Sequence, residues 1–206
     1  MDKVYIIGIG PGTDDYLTPM ARKFIEKADC LVGAKRILSL FRHLRKETFA
    51  LEGHFEEAIP YIQENRGTKR VAVLVSGDPG LYSFLGPISK VLKKEEYEVI
   101  PGISALQAAF ARIGESWHDA RVLSLHGRSI EDLLGFAAAC DKLFLFTDSK
   151  FPPQKIASYL LDNGIENRRA VVFEELGMEN EKVTDTDLKN LSAMNGFALC
   201  VMIVKR

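Results

Sequence analysis

The chain has 206 residues, 47% of them hydrophobic and 27% charged, with a mean hydropathy of −0.02. That composition belongs to a soluble globular protein long enough for two small cores. The formal net charge of −1 gives no general attraction to nucleic acid or to an anionic membrane. No stretch approaches the roughly 20 apolar residues of a membrane span, and the apolar start at Val4 to Ile9 is too short for a signal sequence. Cys30, Cys140 and Cys200 are odd in number and widely spaced, which argues against a disulfide framework and a zinc cluster. A cytoplasmic, metal-free protein is expected.

Val4 to Gly8 reads as a buried strand that runs into GIGPG, Gly8 to Gly12. The third glycine follows the second by two residues, and Pro11 removes a donor that a phosphate would use, so a dinucleotide fingerprint does not fit. The loop can still press against a flat ligand. Thr18-Pro19 is a helix start, with Thr18 as N-cap and Pro19 at the first helical position. Cys30 to Val32 is a short strand followed by Gly33-Ala34-Lys35-Arg36 and a helix. Lys35 and Arg36 are either solvated charges or, standing at a strand's carboxyl end, anion contacts. Thr48 to Leu51 reads as an edge strand, and His54 to Asn65 as a helix disturbed by Pro60.

Val71 to Val75 is an unbroken apolar run, the pattern of a strand buried on both faces. It stops on Ser76-Gly77-Asp78-Pro79-Gly80. Gly77 allows close backbone approach, and Pro79 holds Asp78 extended at the strand's end, where ligands bind in open α/β sheets. An ordinary strand-to-helix turn is the alternative. Leu81 to Lys94 is read as a helix interrupted at Gly86-Pro87. Tyr97 to Ile100 is a further strand, and Pro101 to Ala105 repeats the small-residue turn. There Ser104 is either a helix N-cap or a ligand contact.

The polar stretch from Glu115 to Asp119 marks a junction between residues 1–114 and 115–206. Beyond it come strands at Arg121 to Leu125, Lys142 to Phe146, Arg169 to Phe173 and Phe197 to Val204. Helices alternate with them at Ile130 to Ala139, Pro153 to Asn163 and near Asp187 to Leu191; Gly177 to Lys182 is a polar turn. The expected fold class is α/β: two α/β lobes with mostly parallel or mixed sheets. His126 ends a strand but carries no metal or catalytic pattern around it.

Taken together, GIGPG, Leu17-Thr18, Ala28-Asp29, GDPGLY and Pro101-Gly102-Ile103-Ser104-Ala105 resemble the ordered signature of the tetrapyrrole (corrin/porphyrin) methylase family. Gly33 to Leu38 and Thr147 to Phe151 resemble the branch that methylates carbon 5 of the corrin precursor. The resemblance implies methyl transfer from S-adenosylmethionine to a tetrapyrrole bound in a ligand cleft between the lobes, by a homodimer. It places the cofactor against Pro11, Ser76, Gly77, Asp78, Leu81, Ser104 and Ala105, with Thr147, Gly177 and Ala198 from the second half. A cationic sulfonium without phosphates suits a proline-bearing loop and one carboxylate. Lys35, Arg36, Arg112 and Arg128 are the basic residues set to grip a substrate rich in carboxylates. No catalytic residue is assigned, because Ala34 stands where some relatives carry an acidic residue. Methylation at carbon 15 with decarboxylation is expected on a separate polypeptide, since the chain ends at Arg206. Another ring position, another family substrate or a non-catalytic cofactor-binding module are the alternatives.

Overall fold

A computed structural model of the protein describes residues 3–52, 58–125 and 129–206. His54, His126 and Arg128 therefore lie outside the described residues. Two compact units are present, Met1–Ser104 and Ala105–Arg206. The division falls ten residues before the expected junction at 115, because the helix Ala105–Ile113 packs with the second unit. Phe110 on that helix is fully buried and lies 6.3 Å from the ring of Phe144.

In the first unit the apolar runs become a five-stranded sheet: β1 (Val4–Gly8), β2 (Cys30–Ala34), β3 (Glu47–Leu51), β4 (Val71–Val75) and β5 (Tyr97–Ile100). Their order across the sheet is β3-β2-β4-β1-β5, and every pairing is parallel. All five residues of β4 are buried, as a central strand with both faces covered requires. Helix α1 (Pro19–Lys27) starts where expected, and Thr18 Oγ1 accepts the Ala21 amide at 3.1 Å. Helix α2 (Lys35–Leu40) follows β2, and α3 (Ala58–Asn65) precedes β4. At the amino ends of β2 and β4, Asp29 accepts three bonds from Arg70: the backbone amide at 2.8 Å, Nε at 3.0 Å and Nη2 at 2.6 Å. Asp29 thus latches two strands, and the Arg70 guanidinium and amide hold its carboxyl well below the usual carboxylate range.

The helix expected over Leu81 to Lys94 shrinks to α4, Leu85–Ile88, followed by tight turns. Gly86 and Pro87 are the two central residues of that short helix, where proline has no amide to donate and glycine costs backbone entropy. Phe84, Ile88 and Leu92 nevertheless keep helix-like spacing and are buried.

Helix α5 (Ala105–Ile113) opens the second unit. Its strands are β6 (Arg121–Ser124), β7 (Lys142–Phe146), β8 (Arg169–Glu174), β9 (Lys182–Asp187) and β10 (Cys200–Lys205), in the order β6-β7-β10-β8-β9. Only β6 and β7 run parallel; β10 is antiparallel to both neighbours, and β9 to β8. This sheet is mixed. Strand β9 replaces part of the turn and loop expected after Glu174, with Asp187 as the N-cap of α8 (Leu188–Ser192). Helices α6 (Asp132–Ala139) and α7 (Pro153–Asp162) complete the unit. No described helix is long and apolar enough to cross a membrane.

Candidate functional site

Strand order brings the three glycine-bearing loops together. Because β4, β1 and β5 are neighbours and parallel, GIGPG, GDPG and PGIS leave the same sheet edge side by side. The loops after β1 and β4 are joined by paired backbone bonds: Gly77 N donates to Gly10 O at 2.8 Å, and Gly10 N to Gly77 O at 3.3 Å. Gly10 and Gly77 sit at φ +84° and +65°, where a side chain would be strained. Between the loops there is no room for a Cβ. One added at Gly8 would lie 2.5 Å from Gly77 O and 2.7 Å from Gly102 N, and one at Gly102 would lie 2.6 Å from the Gly8 carbonyl carbon. A seam of bare backbone results.

Asp78 holds this seam. Its Oδ1 accepts the Gly80 amide at 2.8 Å and its Oδ2 the Gly102 amide at 3.2 Å. The carboxylate expected to face a sulfonium is thus occupied by two backbone donors, one in its own turn and one in the neighbouring loop. Leu81 N closes the turn on Asp78 O at 3.2 Å. Gly77 is buried, Ser76 exposed, Pro11 half-buried, and Ser104 is buried directly before α5. The adjacency of β2 and β4 also sets Arg36 Nη2 3.2 Å from Ser76 Oγ, joining a residue expected to meet substrate to one expected to meet cofactor. Lys35 pairs with Glu52 at 2.9 Å across an exposed surface.

In the second unit Thr147, Gly177 and Ala198 also share one sheet edge. They follow β7, follow β8 and precede β10, which runs opposite to both and lies between them. Thr147 Oγ1 donates to Cys200 O at 2.7 Å, and the Ala198 amide donates to Glu174 Oε1 at 3.1 Å. Gly177, at φ +79°, donates its amide to Glu181 Oε2 at 2.7 Å. The same carboxylate takes a two-bond fork from Arg112, Nε to Oε1 at 2.6 Å and Nη2 to Oε2 at 3.0 Å. Arg112, expected as a substrate contact, is therefore a counter-ion within its own unit. Its guanidinium holds the Glu181 carboxyl below the usual range, against the opposing effect of burial. Glu181 did not stand out in the sequence; its one signal is an acid four residues after a turn glycine.

In the first unit, the glycine seam and the Asp78-braced turn fit a ligand approached by backbone rather than by bulky or multiply charged side chains. Among the described residues no three His, Cys, Asp or Glu gather as a metal site would require.

The sequence matches the family described as Tetrapyrrole (Corrin/Porphyrin) Methylases over residues 3–192. A Methanocaldococcus jannaschii protein named "Probable cobalt-precorrin-7 C(5)-methyltransferase" is 36% identical over 197 residues, 92% of this chain and 91% of that one. A Salmonella typhimurium cobalt-precorrin-7 C(5)-methyltransferase is 34% identical over 180 residues, 86% and 87% of the two chains. Among solved structures, the precorrin-6Y methylase of Archaeoglobus fulgidus superposes with a TM-score of 0.76 at 24% identity, covering 99% of this chain and 98% of that one. The uroporphyrin-III C-methyl transferase of Thermus thermophilus, solved with S-adenosylhomocysteine, gives 0.81 at 21% identity over 98% and 92%. At those identities the likeness is one of fold.

Proposed function

The chain belongs to the tetrapyrrole (corrin/porphyrin) methylase family, and from that premise we propose that it methylates carbon 5 of cobalt-precorrin-7 in corrin ring synthesis. The observation that carries this reading is the match to two relatives named for that reaction, spanning most of both chains in each case. S-adenosylmethionine supplies an activated methyl group. The candidate contacts for it are Pro11, the backbone of Ser76 and Gly77, Leu81, Ser104 and Ala105 in the first unit, and Thr147, Gly177 and Ala198 in the second. Asp78 and Glu181 shape those contacts by holding loop amides.

Ala34, exposed at the end of β2, offers no proton acceptor. The meso carbon of a reduced tetrapyrrole is itself electron-rich and enamine-like, so the chain's task is orientation. Holding two reactants in line can lower a barrier by about 7–11 kcal/mol. Lys35 and Arg36 are the candidate grips for substrate carboxylates, while Arg112 serves as the brace of Glu181. In this reading the protein works in the cytoplasm as a homodimer, beside a separate polypeptide for methylation and decarboxylation at carbon 15.

The test is incubation with isotopically labelled S-adenosylmethionine and the corrin precursor, followed by product mass and the position of the new methyl by NMR. A single methyl on carbon 5 is expected. A methyl on another ring carbon would overturn the assignment while leaving the family intact.

A further inference from the structure

Residues 35–46, Lys35 to Lys46, carry five lysines and arginines and no acid, in a chain whose net charge is −1. Eleven arginines lie among the described residues. Nine have side chains that bond to or lie over a partner within the chain, and the side chains of Arg42 and Arg45 do not. These two flank the exposed His43 in the single turn after α2.

That turn is held in place. Phe41 before it is buried, and Lys46 after it donates from Nζ to Glu26 O and Ala28 O, both at 2.7 Å. Arg45 adopts φ +51°, a conformation that side chains avoid unless the surroundings impose it. His43 shares a pocket of about 190 Å³ with Ile9, Thr13 and Asp14 of the loop after β1. At the other end of α2, Arg36 bonds to Ser76 in the GDPG turn. Six helical residues separate the two ends by about 9 Å. The unpaired cations thus continue from the glycine loops rather than lying on a remote face.

We propose that Arg42, His43 and Arg45 form a carboxylate-binding turn that takes the peripheral acetate and propionate groups of the ring substrate. This rests on the functional reading above. A flat ring edged with carboxylates is wide enough to meet Arg36 and this turn together, and arginine meets a carboxylate with two parallel bonds. Polar contacts of that kind, distant from the reacting carbon, tighten ground and transition states alike.

The experiment compares wild type with the Arg42→Gln/Arg45→Gln double variant, both changes on exposed side chains that should leave the unfolding midpoint in place. Corrin-precursor binding is read by absorbance titration at two salt concentrations, S-adenosylmethionine binding by calorimetry, and turnover by methyl transfer. The variant should bind the precursor and show a KM about 10-fold weaker, the factor that ~1.4 kcal/mol represents. Its kcat and cofactor affinity should stay within about twofold, and its precursor binding should depend less on salt, since fewer charge contacts remain to be screened. Unchanged precursor affinity in the variant would overturn the assignment. Wild-type protein that neither binds nor methylates the precursor would instead sink the functional reading itself.

Discussion

Asp78 stands just past the carboxyl end of β4, in the turn around which the proposed cofactor contacts are arranged. Gly-Asp-Pro-Gly at the end of a buried strand announces a carboxylate at a ligand edge, yet both of its oxygens accept loop amides. Replacing it by alanine strands those donors, so binding should weaken by the ~1.5–3 kcal/mol typical of hydrogen bonds to a charged group. Calorimetry with two ligands reads the cause. S-adenosylmethionine, with its sulfonium, and S-adenosylhomocysteine, whose thioether sulfur is neutral, should lose affinity equally in Asp78→Ala. A loss confined to the sulfonium ligand would mean that the carboxylate acts by charge on the methyl donor. Glu181 makes the complementary case: no motif contains it, and only its contacts to Gly177 and Arg112 mark it. Chemistry done through backbone geometry leaves little trace in side-chain pattern.

At the scale of elements, the sequence spoke clearly where apolar period and capping agree. Strand β4 and the Thr18-Pro19 helix start appear as expected. Strand β9 was invisible because its residues, KVTDTD, are mostly polar and all partly or fully exposed; it is held as an edge by backbone pairing with β8. Helix α6 ends on another feature that periodicity cannot report. Arg168 is 4% exposed and its Nη1 donates to Ala137 O at 2.8 Å and Cys140 O at 3.1 Å, closing the helix's free carbonyls. Arg168→Ala should cost about 2–4 kcal/mol, as removal of a buried, hydrogen-bonded cation does. Urea unfolding would show it, and a change under 0.5 kcal/mol, the usual range for surface sites, would mean the clamp is idle. In the glycine seam, Gly102→Ala forces a Cβ against the Gly8 backbone. Here both stability and cofactor affinity should fall, by about 1–3 kcal/mol for the strain alone.

Across the whole molecule, the ion pairs set the response to acid. The carboxyls of Asp29, Glu115 and Glu181 are all held low, chiefly by hydrogen bonds from Arg70, Lys205 and Arg112. A depressed folded-state pKa gives stability that is full above the unfolded value, about 3.9–4.3 for these groups, and is lost as pH falls through the folded one. Thermal midpoints should therefore be flat above about pH 5 and drop below about pH 4. Asp29→Asn should lower the neutral-pH midpoint and flatten that acid drop. A variant with the full wild-type acid slope would remove the Asp29–Arg70 latch from the account.

The second sheet is centred on its last strand in chain order. Strand β10 (Cys200–Lys205) joins β7 to β8, and its Met202 and Ile203 are fully shielded from water. During synthesis on the ribosome, the first unit has all five of its strands long before β10 emerges. At about 5–20 residues per second, the facing edges of β7 and β8 wait roughly 1–12 seconds for the strand between them. A nascent chain stalled before residue 200 should thus carry a protease-resistant first half and a sensitive, chaperone-bound second half.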